Sequence, residues 1–99
     1  MIIVLGHVDI DPSDVDNFLK DIKEIDPGKK PESGCISYSI AVADPTIGRI
    51  LVAERWQDQQ SLTTHIESNG TLAFVEKWSG RMQSNVLKYD ARNERTLLD

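Results

Sequence analysis

The sequence predicts an α+β fold: one four-stranded antiparallel sheet with its helices packed on one face. Three observations predict it. Four apolar segments of strand character alternate with three of helical character in the order β-α-β-β-α-α-β. Only the second and third strands lie close enough for a tight turn to join them. The first and third strands are apolar on both faces, so both sides of the sheet must be covered.

Residues 2–10, IIVLGHVDI, are apolar and β-branched and read as a strand. In the next segment Asp11 stands at a capping position, Pro12 suits the first helical position, and Asp14 favours the positive helix end. Val15, Phe18, Leu19, Ile22 and Ile25 then share one helical stripe, opposite Asp16, Lys20, Asp21 and Glu24. The Pro and Gly content of DPGKKPESG, 26–34, marks a loop.

CISYSIAVA, 35–43, alternates, with Ile36, Tyr38, Ile40 and Val42 on one face and Cys35, Ser37, Ser39 and Ala41 on the other. DPTIG has turn chemistry and RILVAERW, 49–56, is a strand, so 35–56 forms a hairpin. Asp58 caps a second helix over 59–67, which SNG breaks. TLAFVEKWSGRM, 71–82, makes a third helix with Leu72, Phe74, Val75, Trp78 and Met82 inward. SNVLKYDA, 84–91, is the last strand, which leaves a mostly polar tail over 92–99. This order is the split βαβ, or ferredoxin-like, pattern, carried by one domain over 1–91.

The chain has 99 residues, with Lys+Arg 11 against Asp+Glu 16 and a net charge of −5. That balance argues against a nucleic-acid partner, which would favour a basic stripe. The lone Cys35 can form no internal disulfide and belongs to no metal-type cysteine spacing. A reducing cytoplasm fits that usage. No stretch reaches membrane-spanning length, and MIIVL is too short and uncharged for a signal peptide.

Strand 1 carries Ile2, Val4, Val8 and Ile10 on one face and Ile3 and Leu5 on the other. Strand 3 sets Ile50, Val52 and Trp56 against Leu51 and Ala53. The helices of one chain cover only one of these faces. A second copy is the simplest cover for the other, so the expected partner is a homodimer with its sheets facing. Each apolar side chain buried there contributes roughly 1.5–3 kcal/mol before entropy is counted.

The segments SGCISYSI, ILVAERWQDQQSLTTHIES and LAFVEKW resemble the antibiotic biosynthesis monooxygenase domain. That family includes the small quinol monooxygenases and belongs to the dimeric α+β barrel superfamily. The resemblance spans 2–91, and its most specific parts are Gly34-Cys35, the Glu54 and Trp56 pair, and His65. It implies oxygenation of an electron-rich phenol or quinol by O2, bound in a pocket between sheet and helices, with no cofactor. Two departures stand out. Members acting on polyketide aromatics share an Asn, Trp, Tyr and Arg set, of which only Trp56 has a counterpart here; Val52 and Leu62 stand where Asn and Tyr are found. Haem-degrading relatives use a strand-1 Asn, a helix-2 Trp and a helix-3 His, where this chain has His7, His65 and the apolar Phe74-Val75. Haem ligation of that kind is therefore not expected. Neither is a flavin, a nicotinamide or a metal, because the chain carries no phosphate-binding glycine loop and no ligand cluster.

The expected catalytic residues are His65, Glu54 and Trp56. His65 follows Leu62 by three positions and leans toward the buried stripe. A neutral imidazole suits removal of a phenolic proton near neutral pH, and the same residue serves equally as a half-buried structural histidine. Glu54 and Trp56 are two apart and share a strand face. A carboxylate there needs a partner, His65 or a backbone amide, and a pair with His65 would raise the imidazole's basicity. The alternative is a structural ion pair, or a strand-end residue touching solvent. Trp56 is a stacking wall or core filler. His7, Tyr38, Phe74 and Trp78 are expected to line the substrate pocket, His7 from strand 1; core packing or solvation is the alternative for each. Arg55 points to the expected dimer face, and nothing near Cys35 suggests an activated thiol. Two functional readings remain side by side: an enzyme built on these residues, or a non-catalytic dimeric module that binds a small hydrophobic molecule or serves in a stress response.

Overall fold

A computed structural model describes all residues, Met1–Asp99. The strands are β1 (Ile2–Ile10), β2 (Cys35–Asp44), β3 (Arg49–Trp56) and β4 (Met82–Asp90), and the helices are α1 (Val15–Glu24), α2 (Gln59–Ile66) and α3 (Asn69–Trp78). The sheet runs β2-β3-β1-β4 with every neighbouring pair antiparallel. β3 fits between β1 and β2, as the ferredoxin-like pattern requires. All three helices bury their apolar sides against one face, and none is long and apolar enough to cross a membrane.

Alternation along the central strands sets the core. Ile2, Val4, Val8 and Ile10 from β1 and Ile50, Val52 and Trp56 from β3 are buried beneath Val15, Phe18 and Ile22 of α1 and Leu62 of α2. Phe18 is the hub: its ring meets Phe74 and Trp78 edge-on, each at a centroid distance of 5.3 Å. Trp78 is fixed further by its indole N–H, which donates to Asp21 Oδ2 at 2.9 Å, and by the Arg81 guanidinium 4.2 Å from its ring centre.

Local chemistry moves several boundaries away from the sequence reading. Asp11 caps a 3-10 turn, Pro12–Asp14, and α1 proper begins only at Val15. Ser68 caps α3 by accepting from Thr71 N at 3.4 Å, so Asn69 and Gly70, expected only to break the second helix, form the first turn of the third. α3 ends at Trp78; Ser79–Arg81 tighten into a 3-10 turn and Met82 already pairs with Ile10 as the start of β4. The inward residues of α3 are therefore Thr71, Phe74 and Trp78, whereas Leu72 and Val75 are exposed. In β2 an irregularity between Cys35 and Ser37 turns Ile36 outward and packs Cys35 against the core in its place. Gly34 makes this entry possible: its φ of 78° is left-handed, and its carbonyl accepts from Gln57 N at 2.8 Å.

The opposite sheet face has no cover within the chain. Leu5 (47%), Leu51 (45%), Leu87 (59%) and Tyr89 (50%) remain about half exposed, beside Ala53 and Arg55. Arg55 donates to Ser37 Oγ at 2.9 Å and lies 3.6 Å from Glu94, which draws the tail toward this face. Leu97 and Leu98 at the end of the tail touch almost nothing.

Phe18→Ala removes the ring on which the three-aromatic cluster is centred. The expected cost is about 3–5 kcal/mol of unfolding free energy, read by urea titration. A loss below about 1 kcal/mol would place the centre of the core elsewhere.

Candidate active site

The helical layer does not fill the space above the sheet. A cavity of about 660 Å³ lies between them, floored by Val4, Val8 and Val52 and roofed by Phe18, Ile22, Leu62 and Phe74. Its lining is apolar apart from Tyr38, Glu54, His65, Thr71, Ser84 and Lys88. These polar groups come from β2, β3, α2, α3 and β4, so the fold rather than any local motif gathers them.

β3 supplies Glu54 because Trp56 and Glu54 share the inner face. The two side chains hold each other: Trp56 Nε1 donates to Glu54 Oε1 at 2.9 Å. The sequence reading paired Glu54 with His65. That pairing does not form, because the indole N–H is fully buried and needs an acceptor, and the carboxylate two residues away is within its reach. Burial pushes the Glu54 carboxyl above its ordinary value, and the bond from Trp56 opposes part of that rise.

α2 supplies His65. Its imidazole lies against the Trp56 ring, with centroids 5.1 Å apart and planes at 31°, and meets Tyr38 edge-on at 5.9 Å. Burial lowers its pKa from 6.5, and the negative charge of Asp26 opposes that fall. The ring is therefore neutral at physiological pH. It also lines a second, polar cleft of about 600 Å³ formed by the 24–33 segment, α2 and the start of α3, so the residue borders both the apolar cavity and the polar cleft. Burial raises the Tyr38 phenol far above its usual value, and the charge of Glu54 adds to this. The phenol stays protonated as a donor. Cys35 is raised as well, by burial first, and is no thiolate.

His65, Glu54, Tyr38 and Phe74 thus meet at one cavity. Three expected residues do not line it. Trp56 is wholly buried behind His65 and Glu54, so it backs the site and offers no wall to a ligand. Trp78 is wholly buried in the aromatic cluster with Phe18. His7 pairs with Leu51 and Asn85 on the uncovered sheet face, because strand alternation sends it away from Val8 and Val4. Lys88, Ser84 and Thr71 were missed. Ser84 and Lys88 alternate with Val86 along β4, a signal of one shared face that was available in SNVLKYDA.

Residues 1–77 match the sequence pattern of a family described as antibiotic biosynthesis monooxygenase. The chain belongs to that family. Solved structures agree on the fold. A candidate antibiotic biosynthesis monooxygenase from Deinococcus radiodurans superposes with a TM-score of 0.82 at 17% identity, covering 98% of each chain. A similarly described protein from Caulobacter crescentus gives 0.78 at 20% identity, over 93% of this chain and 90% of that one. A conserved protein from Methanosarcina mazei gives 0.77 at 22% identity, over 92% of each. No curated protein matches the sequence. The family likeness therefore carries the ferredoxin-like α+β fold and a general monooxygenase character, and the site residues stand on their own geometry.

The electrostatics of His65 give a signed expectation. Its folded-state pKa lies below 6.5, so between those two values the unfolded chain holds a proton that the folded chain rejects. Stability contributed by this group falls as pH drops below about 6.5. Asp26→Asn removes the opposing charge while keeping an oxygen for the Gly28 N–H it now accepts. It should lower the His65 pKa further, as read by NMR titration of the ring protons. An unchanged or raised value would contradict the assignment of Asp26 as the source of that field.

Proposed function

We propose that the protein is a monooxygenase that oxidises a small phenol or quinol with O2 in the cavity between sheet and helices. One observation carries this reading: a neutral imidazole, free of any carboxylate partner, faces an apolar cavity beside a raised-pKa carboxyl and a protonated phenol.

His65 accepts the substrate's phenolic proton and returns it to the peroxide that forms on the ring. Tyr38 donates to the oxygen left behind, and Glu54, fixed by Trp56, holds the hydroxyl in place before the proton moves. Trp56 supports the imidazole from behind. The apolar lining leaves the phenolate poorly solvated, which makes it a better electron donor to O2. One electron moves to O2, the two radicals join at a ring carbon, and the resulting hydroperoxide loses water to leave a quinone. One oxygen atom enters the product and the other leaves as water with the phenolic and ring hydrogens. Phe74 packs against the flat ring.

The same geometry supports a second reading. Glu54 is already engaged by Trp56, so no carboxylate orients His65, and the cavity could hold a small hydrophobic molecule in a non-catalytic module. Oxygen uptake separates the two. With a panel of quinols and dihydroxynaphthalenes, wild type should consume O2 above background and release the quinone. His65→Ala should lose roughly 10²–10⁴-fold in kcat. No uptake by wild type on any of these, with ligand binding retained, would favour the binding module.

The uncovered sheet face supports a homodimer with sheets facing, since Leu5, Leu51, Leu87 and Tyr89 otherwise meet water. Sedimentation equilibrium at micromolar concentration should give twice the monomer mass, and Leu51→Lys should shift it to monomer. A stable wild-type monomer would remove this part of the proposal.

A further inference from the structure

We propose that Lys88 makes the cavity selective for aromatic substrates that carry a negative charge at the end opposite the reacting hydroxyl. The proposal rests on the reading of this cavity as the substrate site, and it concerns a residue that reading leaves unused.

The register places four side chains in one row across the inner sheet face: Tyr38 pairs with Glu54, Glu54 with Val4, and Val4 with Lys88. Tyr38, Glu54 and Lys88 all line the cavity, with Val4 as its floor between them. Glu54 and Lys88 sit two strand spacings apart, about 10 Å between their backbones. The row is therefore polarised. The proton-handling groups His65, Glu54 and Tyr38 stand at one end, and the only cation in the lining stands at the other.

That cation is held ready for an anion. Lys88 Nζ donates to Gln59 Oε1 at 2.9 Å and is in no salt bridge. Gln59 in turn donates through Nε2 to Thr63 Oγ1 at 3.0 Å, which fixes its carbonyl oxygen toward Lys88. A neutral acceptor positions the ammonium without neutralising it, and two of its three N–H donors remain for a ligand. Gln59 and Lys88 are both exposed, so a charged group beside the ammonium keeps its contact with water while the ring lies over Val4. A neutral phenol fills the same floor but leaves the ammonium unused. A phenol whose carboxylate lies one or two fused rings away reaches both ends.

Isothermal titration calorimetry without added oxygen substrate tests this with two probes, 6-hydroxy-2-naphthoate and 2-naphthol, which share a ring system and differ by one carboxylate. Wild type should bind the naphthoate about tenfold more tightly at low salt, and the gap should narrow as salt is added. Lys88→Gln should abolish the preference while leaving 2-naphthol affinity unchanged, and Lys88→Arg should restore it. A preference that survives Lys88→Gln overturns the proposal, as does equal affinity, or no binding of either probe, in wild type. The outcomes are separable from the proposed activity. A Lys88-dependent preference with no oxygen uptake on any quinol rejects the monooxygenase reading alone. Uptake on neutral quinols with no charge preference rejects the role of Lys88 alone.

Discussion

The helical layer is smaller than the sheet it has to cover, and the site follows from that mismatch. Helices of 10, 8 and 10 residues lie over strands of 9, 10, 8 and 9. At about 1.5 Å per helical residue against about 3.3 Å per strand residue, each helix is roughly half the length of a strand. The large aromatic side chains go where coverage is complete, over β3 and β1, where Trp56 and Ile50 are fully buried. Coverage fails toward the edges. Ser84 and Lys88 on β4 are exposed and Tyr38 on β2 is half-buried, and the cavity runs between them.

Within that cavity one hydrogen bond sets the charge pattern. Trp56 must satisfy its buried indole N–H, and it takes Glu54 for the purpose. This removes the carboxylate that would have raised the basicity of His65, and burial then lowers the imidazole's pKa. The consequence is a neutral base and a carboxyl of raised pKa in one apolar space, held apart by an aromatic ring that touches both. His65 borders both this space and a polar cleft.

Much of the architecture could be read from period and turn chemistry. The β3 bounds and the Asp58 cap of α2 fall where the sequence places them, because alternation and a side-chain acceptor are local signals. The misses have non-local or competing causes. Ile36 faces outward because a register irregularity next to Gly34 adds a residue to β2. Thr71, Phe74 and Trp78 share the buried stripe of α3 at i, i+3 and i+7, so Leu72 and Val75 on its flanks stay exposed, which apolar residue type alone does not tell. His65 and Tyr38 could be picked out as candidates from their residue type and face. The Glu54–Trp56 bond and the fourth member of the cross-strand row, Lys88, depend on pairing between strands far apart in the chain.

The two histidines allow the central claim, that a small aromatic binds beneath the helices at His65, to be tested within one sample. His65 lies in the cavity and His7 on the opposite side of the sheet. Titrating a phenol while following the imidazole ring signals by NMR should move those of His65 and leave those of His7 in place. Movement of His7 alone, or of both equally, would contradict the account.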